Sequence, residues 1–476
     1  MTGVTGTLAS FAAGLDGRTI PPSARHAAAR LVLDTVGCMV AGSRTTVARY
    51  TLGWLTDAAL LGSGGPATVV GAGRGALPVA AYANGRWAAV LDADETYPSD
   101  RQTSHLAAAT LASTLATAEA RGGSRADLIT AVVAGYEVGA RLSDAMVPRV
   151  GNARGGLRAG WGPGSPLGAA VAAGRAAGLD APTIAQALGL AGTHVDPPPL
   201  QWGATSPAPM AKSADAGWHA WTAVSAAGMA AAGLTGYPTI LDGERGLWRA
   251  LNYEAHDEDA AIDRLGLRWI VEDAAFKRWP CQYWMQPALT ALDRVLDEAA
   301  IDAEAIERIE LATTDKSLGP MFVATEPDGE IARAFSIPHA AAMIALRVPT
   351  GRAWSDDAMA ERDDVRRLRG LVTVTRHPES DSVPSGVVDH QIRTLPARAV
   401  VRARGRDHVA TVSGGLGSPW SDDTRLDDDA LVEKFAEMTR DDLSPAVRAA
   451  VVDWVLGEVD RPIAELTACL ADLPAR

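Results

Sequence analysis

Apolar residues recur at helical spacing along most of the chain. One such stripe runs through RADLITAVVAGYEVGARLSDAM and contains Leu128, Val132, Gly135, Gly139 and Leu142. Asp180 precedes another helical pattern and is a candidate N-cap. The segment AGWHAWTAVSAAGMAAAGLTG also predicts a helix, whose small residues allow close contact with its neighbours. No sustained alternation of period two interrupts residues from about 5 to 260, so this part is predicted to be helical.

The pattern changes near residue 300. IERIELATT and LVTVTRH are typical of strands, and ARAVVRARGRDHVATV predicts two strands around a Gly-Arg-Asp turn. IPHAAAMIALR predicts a helix between them, and helical patterns return after residue 420. One of these has Ser444 as its predicted N-cap and Pro445 at its first position. We therefore predict a mostly α protein. Residues 1–270 and 411–476 would form a large all-helical domain, and residues 271–410 a smaller inserted α+β domain.

The composition is that of a folded protein and excludes several partners. Hydrophobic residues make up 47% and charged residues 21% of the 476 positions, as in globular chains. The net charge of −13 argues against a nucleic-acid partner. The three cysteines form no CxxC pair, which argues against a disulfide framework or a zinc knuckle. Without a secretory signal or a long apolar run, we expect a cytoplasmic protein with no membrane partner.

Polar residues are concentrated in VLDADETYPSDRQTSH, between two alanine-rich predicted helices. Asp92, Asp94, Glu95, Thr96 and His105 could form an acid/base cluster there. The alternative is that the acids cap the following helix and solvate the loop. The spacing does not match a known metal motif, so no metal site is predicted.

Two other stretches carry candidate chemistry. FKRWPCQYWMQPAL places Lys277 and Arg278 before a predicted helix, where cations could hold a substrate carboxylate. The alternative is a polar domain junction. APMAKSADAGWHAWTA places Lys212 and His219 in an apolar helical stretch. There the alternatives are a lysine that extends to solvent and a histidine satisfied within the core.

Seven motifs in this order make the chain resemble the MmgE/PrpD family. The segments are ATVVGAGRGALPVAAYANGRWAAVLDADET, GGSRADLITAVVAGYEVGAR, GSPLGAAVAAGRAAGLDAPTIAQALGLAGT, GYPTILDGERGLWRAL, FKRWPC, FSIPHAAAMIAL and DDDALVEKFAEM. The family includes 2-methylcitrate dehydratase, cis-aconitate decarboxylase and iminodisuccinate epimerase. The resemblance implies a helical bundle, closed by the C-terminal helices, with a smaller α+β domain. It also implies a homodimer that uses no metal, iron–sulfur cluster or organic cofactor.

The resemblance also implies an active site between the two domains. The family's catalytic positions fall on Asp92, Thr96, His105, Lys212 and Lys277. In the family, lysines neutralise substrate carboxylates and a histidine moves the proton next to a carboxylate. Removing such a weakly acidic C–H proton requires a base and cationic stabilisation of the enolate. Neighbouring positions predicted to contact the substrate are Tyr97, Trp161, Trp279, Cys281 and Gln286.

The chain departs from the family at three polar positions. Gly162 stands in place of the GWH histidine, usually a second catalytic imidazole, and Asp215 in place of the K-x-L-H histidine. Gln286 replaces the histidine expected after the Lys-Pro-Cys motif. Tryptophans crowd the same motifs, and the chain has 13 Trp against five Phe. These indoles either fill the helical core or indicate a larger, flatter or cationic substrate.

Three functional hypotheses follow. The first is a cofactor-independent lyase or isomerase that transfers a proton next to a carboxylate or carbonyl of a non-standard small acid or imine, in specialised metabolism. The second is a 2-methylcitrate dehydratase or cis-aconitate decarboxylase proper. The third is a non-catalytic binding or scaffold protein that keeps the fold. His105 and both lysines favour the second hypothesis, whereas Gly162 and Gln286 argue against it. The loss of three polar positions would fit the third hypothesis, but the intact LDADET loop and both lysines argue against it.

Overall fold

The computed structural model describes residues 3–62, 64–148, 162–195, 208–212 and 214–473. Helices dominate this part of the chain, which confirms the predicted mostly α class. The helices are α1 Val4–Gly14, α2 Pro22–Gly42, α3 Thr46–Asp57, α4 Leu77–Val90, α5 Ala107–Ala120, α6 Arg125–Ala145, α7 Gly164–Ala176, α8 Ala181–Gly192, α9 Ala214–Ala231, α10 Leu247–Ala250, α11 Glu258–Ile262, α12 Gln286–Glu298, α13 Gly329–Arg333, α14 Ile337–Ala345, α15 Asp357–Ala360, α16 Asp363–Gly370, α17 Asp428–Met438, α18 Pro445–Leu456 and α19 Ile463–Ala471. The described helices lack the combination of length and apolar character that a membrane span needs.

The strands are short except in one sheet. They are β1 Ala67–Val69, β2 Gly73–Gly75, β3 Met146–Val147, β4 Ala255–His256, β5 Ile306–Thr313, β6 Val372–Arg376, β7 Val387–Val388, β8 Gln391–Ile392, β9 Ala397–Ala403 and β10 Arg406–Val412. The main sheet has the order β10-β9-β5-β6, with β5 and β6 parallel and the other pairs antiparallel. Helix α12 packs against β9 and β10.

The hairpin turn between β9 and β10 starts one residue earlier than the predicted Gly-Arg-Asp turn and is one residue shorter. Ala403 pairs with Arg406, so the turn consists of Arg404 and Gly405 rather than Gly-Arg-Asp. Both turn residues have positive φ, 53° and 72°. This is the backbone that a two-residue hairpin with twisted strands requires. Asp407 therefore belongs to the strand.

Two large hydrophobic clusters and one small one lie in the described part of the chain. The first lies among the N-terminal helices, and Leu431, Phe435 and Trp454 of α17 and α18 belong to it. The second lies between the main sheet and helices α12, α14 and α16. Leu91 and Ala93, directly after α4, belong to this second cluster. The polar segment that begins at residue 91 therefore starts where the two cores meet.

Helix boundaries are set by local chemistry that the sequence displays. The Asp180 side chain accepts the N–H of Thr183 at the start of α8, and the Ser444 side chain accepts that of Val447 at the start of α18. Both predicted caps are confirmed. Such caps satisfy backbone donors that lack partners inside the helix.

Glycines let α6 and α7 pack with their backbones in contact. A Cβ added to Gly168 would lie 2.5 Å from the Gly135 carbonyl oxygen and 2.9 Å from the Gly139 Cα. A Cβ added to Gly164 would lie 2.3 Å from the Gly139 carbonyl oxygen. The sequence stripe that contains Gly135 and Gly139 is therefore a backbone contact surface, and larger side chains do not fit there.

Gly168→Ala should lower the free energy of unfolding by about 1–3 kcal/mol, because its Cβ overlaps the backbone of α6. Gly228 on α9 is the matched control, since a Cβ there meets nothing within 4 Å. Gly228→Ala should stabilise by about 0.5–1 kcal/mol through helix propensity. Urea unfolding followed by circular dichroism measures both. Equal effects of the two substitutions would contradict the close packing of α6 on α7.

Candidate active site

The segment from residue 91 to residue 105 is buried almost throughout. Only Asp100 and Arg101 are not buried, so the predicted solvated loop is wrong. The backbone N–H and carbonyl of Thr96 pair with those of Ala275, and Tyr97 pairs with Ser104. Asp92 has a φ of +53°, in the left-handed region that aspartate tolerates better than most residues. This conformation turns the chain directly after α4.

Asp92 lies between the two predicted lysines. Lys212 Nζ is 2.6 Å from one carboxylate oxygen of Asp92, and Lys277 Nζ is 2.5 Å from the other. Burial alone would raise the pKa of Asp92, but the ammonium groups of Lys212 and Lys277 outweigh it and hold that pKa well below its usual range. Asp92 is therefore a permanent carboxylate.

Lys277 and Lys212 differ in how far their N–H donors are already used and in how exposed their side chains are. Lys277 donates to the Asp92 carbonyl at 3.0 Å, to the Asp92 carboxylate and to Asp94 at 3.1 Å. These acceptors use all three N–H bonds of an ammonium group. The Lys277 side chain is 0% exposed, whereas that of Lys212 is 14% exposed. Lys212 also lies 4.7 Å from the Phe335 ring centroid. It bonds Asp92 and does not simply extend to solvent.

Burial would lower the pKa of Lys277, but Asp92 and Asp94 outweigh this effect and raise it. Lys277 is therefore a fixed cation and not a proton acceptor. Its charge is matched by two carboxylates, so it holds the turn at Asp92 and Asp94 in place.

His105 is oriented by a backbone carbonyl. Its Nδ1 lies 2.7 Å from the Glu95 carbonyl oxygen, 3.3 Å from Thr96 Oγ1 and 3.6 Å from Asp94 Oδ2. A carbonyl only accepts hydrogen bonds, so Nδ1 carries the proton and the lone pair of the neutral ring is on Nε2. Burial, and then the charge of Lys277, lowers the pKa of His105. The ring is therefore neutral at neutral pH, and Nε2 has the electronic form of a general base.

The contacts of Glu95 stabilise the start of α5. Its carboxyl group accepts the N–H groups of Leu106 and Ala107, at the start of α5, and the hydroxyl of Tyr136 at 2.9 Å. Burial raises the pKa of Glu95 to about 8. The expectation that an acid of this loop caps the following helix is confirmed for Glu95.

The residues predicted around the cluster are mostly engaged with one another. The Gln286 side chain bonds the N–H and carbonyl of Trp279 and the carbonyl and Sγ of Cys281. Burial raises the pKa of the Cys281 thiol. The Tyr97 hydroxyl donates to Asp144 at 2.7 Å. Trp161 lies outside the described residues.

Gly162 lies against the polar side chain of Gln102. A Cβ at Gly162 would lie 2.7 Å from Gln102 Cδ, so a histidine there would displace Gln102. The side-chain oxygen Oε1 of Gln102 accepts the Tyr253 hydroxyl at 2.8 Å. The glycine and the glutamine thus fit each other.

Asp34 and Lys434 were missed in the sequence. Lys434 Nζ bonds Asp34 Oδ1 and the Ala93 carbonyl, the latter at 2.8 Å. Both residues are almost fully buried. The available signal was a charged residue inside an apolar helical pattern: Asp34 interrupts LVLDTVGCMV, and Lys434 stands directly before the buried Phe435.

His219 is buried on α9, and its Nδ1 lies 3.0 Å from the Ser165 hydroxyl. This agrees with the alternative of a histidine satisfied within the core. Burial lowers the pKa of His219 to about 3. Asp215, which replaces a family histidine, lies in the first turn of the same helix.

The described residues bring together a neutral imidazole, a carboxylate between two ammonium groups, and a buried turn that holds them. Family models identify the chain. The MmgE/PrpD N-terminal domain matches residues 6–258, and the MmgE/PrpD C-terminal domain matches residues 279–458. The protein belongs to the MmgE/PrpD family, which generally comprises enzymes of the lyase and dehydratase type. No curated protein matches the chain.

His219→Gln should make the protein relatively more stable in acid. The unfolded chain protonates this histidine near pH 6.5, whereas the folded chain does so only near pH 3. Because the unfolded state binds more protons in this window, His219 removes about 2–3 kcal/mol of stability between about pH 7.5 and 4.5. The glutamine variant lacks this loss. Urea titrations of both proteins at both pH values measure it, and parallel pH dependences would contradict the buried neutral state.

Proposed function

We propose that the protein is a cofactor-independent lyase or isomerase in which His105 removes a proton next to a carboxylate or carbonyl of a small acid or imine. The hydrogen bond from His105 Nδ1 to the Glu95 carbonyl carries this proposal. It fixes the tautomer with the lone pair on Nε2, and the lowered pKa keeps the ring unprotonated. A base in this state is what proton abstraction requires.

Positive charge beside His105 can stabilise the negative charge that develops on the substrate when its proton is removed. Lys212 is the more exposed lysine and is assigned to bind the substrate carboxylate and stabilise the enolate. Lys277 has all its donors directed at Asp92 and Asp94, so we assign it to hold those carboxylates and to act through them. Thr96 is assigned to orient the ring through its contact with Nδ1.

A dehydration would proceed by removal of the substrate proton and loss of the β-hydroxyl group as water. Nε2 of His105 takes the proton, and the C–H electron pair forms the new double bond. The C–O bond of the β-hydroxyl group breaks, and the group leaves as water with a proton from the imidazolium. An isomerisation instead returns that proton to carbon. Both courses need one base that works on one face of the substrate, which fits a chain with Gly162 at the second imidazole position.

The substrate is proposed to be a non-standard acid or imine of specialised metabolism. Gly162 and Gln102 supply a neutral amide where the family usually has a histidine, and Gln286 is bonded to the chain around Trp279 and Cys281. A tricarboxylate would favour more positive charge than this. The predicted homodimer and the division into residues 1–270 with 411–476 and residues 271–410 remain part of this proposal.

A standard 2-methylcitrate dehydratase or cis-aconitate decarboxylase is the second candidate. The observation that favours it is the grouping of His105, Lys212 and Lys277 around Asp92. Assays with 2-methylcitrate and cis-aconitate separate it from the first candidate.

The central test is exchange of substrate hydrogen with solvent. A panel of hydroxy acids, unsaturated acids and imino acids in D₂O, read by mass spectrometry, detects proton removal before any product is identified. His105→Gln should slow exchange at least about 100-fold, since it removes the general base. His408→Gln, on β10, is the matched control and should exchange at the wild-type rate.

A folded His105→Gln protein with wild-type exchange would rule out His105 as the base. A folded wild-type protein that promotes no exchange and binds acids unchanged would instead favour the non-catalytic scaffold. Circular dichroism of each protein shows whether it is folded.

Lys212→Met should mainly weaken substrate binding. A hydrogen bond from an ammonium to a carboxylate contributes about 1.5–3 kcal/mol, so kcat/KM should fall by roughly 10- to 150-fold, with a raised KM. Lys316→Met is the control, because Lys316 lies over the Trp284 ring outside the cluster. Initial rates over a range of substrate concentrations measure the effect. An unchanged KM for Lys212→Met would contradict its assignment to the carboxylate.

A further inference from the structure

A third lysine reaches the turn that carries Asp92. Lys434 extends from α17 in the C-terminal part of the chain, and its Nζ donates to Asp34 of α2 and to the carbonyl of Ala93. The Lys434 side chain is 2% exposed and the Asp34 side chain is 0% exposed. Burying an ion pair this completely costs several kcal/mol per ion before the attraction is counted. Two apolar residues would fill the same space at lower cost.

Two successive carbonyls of this turn are each held by an ammonium group. The Asp92 carbonyl accepts from Lys277 at 3.0 Å, and the Ala93 carbonyl accepts from Lys434 at 2.8 Å. The φ of +53° at Asp92 is a sparsely populated conformation for a residue with a side chain. Such conformations cost about 1–3 kcal/mol and persist where surrounding contacts over-determine them. The two lysines provide such contacts from different parts of the chain.

We infer that Lys434, held by Asp34, is a positioning residue for this site: it fixes the Ala93 carbonyl, and thereby the directions of the Asp92 and Asp94 carboxylates. This inference rests on the proposed function for its catalytic consequence. Asp92 then meets Lys212 and Lys277, and Asp94 stays 3.6 Å from His105 Nδ1. Lys434 acts through the backbone and is not assigned a contact with substrate.

The charge of the pair agrees with a positioning role. Lys434 and Asp34 are an ion pair and together add no net charge beside His105. Lys212, which is assigned to stabilise the enolate, is instead partly exposed and shares Asp92 with Lys277. The geometry of the donor, which reaches one particular carbonyl, is what Lys434 contributes.

The test compares two double variants that each remove an ion pair between the same parts of the chain. Lys434→Met with Asp34→Asn removes the donor to Ala93 and leaves no unpaired charge. Arg44→Met with Asp442→Asn is the matched control, because this pair joins the end of α2 to the segment after α17 at 3.2 Å.

Hydrogen exchange followed by mass spectrometry reads the turn directly. The amides of Asp92 and Thr96 donate to the carbonyls of Ala89 and Ala275 and report on its opening. In the Lys434 double variant these amides should exchange at least about tenfold faster than in the control. Substrate hydrogen exchange should slow at least about tenfold at saturating substrate, because the carboxylates lose their fixed directions. The control should retain the wild-type values for both.

Unchanged protection of the Asp92 and Thr96 amides in a folded Lys434 double variant overturns the inference, whatever its activity. Faster amide exchange with wild-type turnover also overturns it, since the turn would then not position the reacting groups. If the wild-type protein is itself inactive on the whole panel, the proposed function fails, and amide protection still decides whether Lys434 fixes the turn.

A second variant keeps the inference testable if the double variant does not fold. Lys434→Arg retains the charge opposite Asp34 but moves the donor that Ala93 accepts. The same loss of protection, confined to the turn, is expected. Wild-type protection and wild-type turnover in this variant would overturn the inference.

Discussion

The buried contact between Asp92 and Lys277 is the interaction on which the rest of the site depends. A buried ammonium group needs an acceptor for each of its N–H bonds, and the three acceptors of Lys277 belong to Asp92 and Asp94. Removing one partner would leave an uncompensated buried charge, which costs about 3–5 kcal/mol. The turn after α4 is therefore tied to the segment that contains Lys277, 185 positions away. The ion pairs of Asp92 and Asp94 with Lys277 thus connect the chain where the two large hydrophobic clusters meet.

Burial acts on every ionisable group of this segment, and the neighbours decide the outcome. Asp92 has two lysines and its pKa falls. Glu95 accepts hydrogen bonds but has no ammonium partner among its described contacts, so burial raises its pKa to about 8. His105 is kept neutral because burial and Lys277 both oppose its charged form. Asp92 with a lowered pKa, Glu95 with a raised pKa and a neutral His105 imidazole thus lie within 14 positions of one chain segment.

Small residues make this arrangement rigid. The backbones of α6 and α7 touch through Gly135, Gly139, Gly164 and Gly168, which leaves no room for alternative packing. Helix α5, which begins after His105, packs against both of these helices and against α4 and α9. His105 therefore lies two residues before a helix that packs against four others.

The sequence by itself determined the predominance of helices, the four strands of the main sheet, the caps at Asp180 and Ser444, and the family. It did not predict the short strands β1–β4, β7 and β8. These features depend on residues a few positions apart, where period and capping chemistry are read directly. Only the tertiary structure decided that Lys277 donates all three of its N–H bonds to aspartates. It also decided that Lys434 donates to the Ala93 carbonyl, 341 positions away. Local patterns cannot determine these contacts, because the number of acceptors around a buried donor depends on which distant segments the fold brings together. The tautomer of His105 was decided in the same way, by a carbonyl that the folded loop places beside its ring.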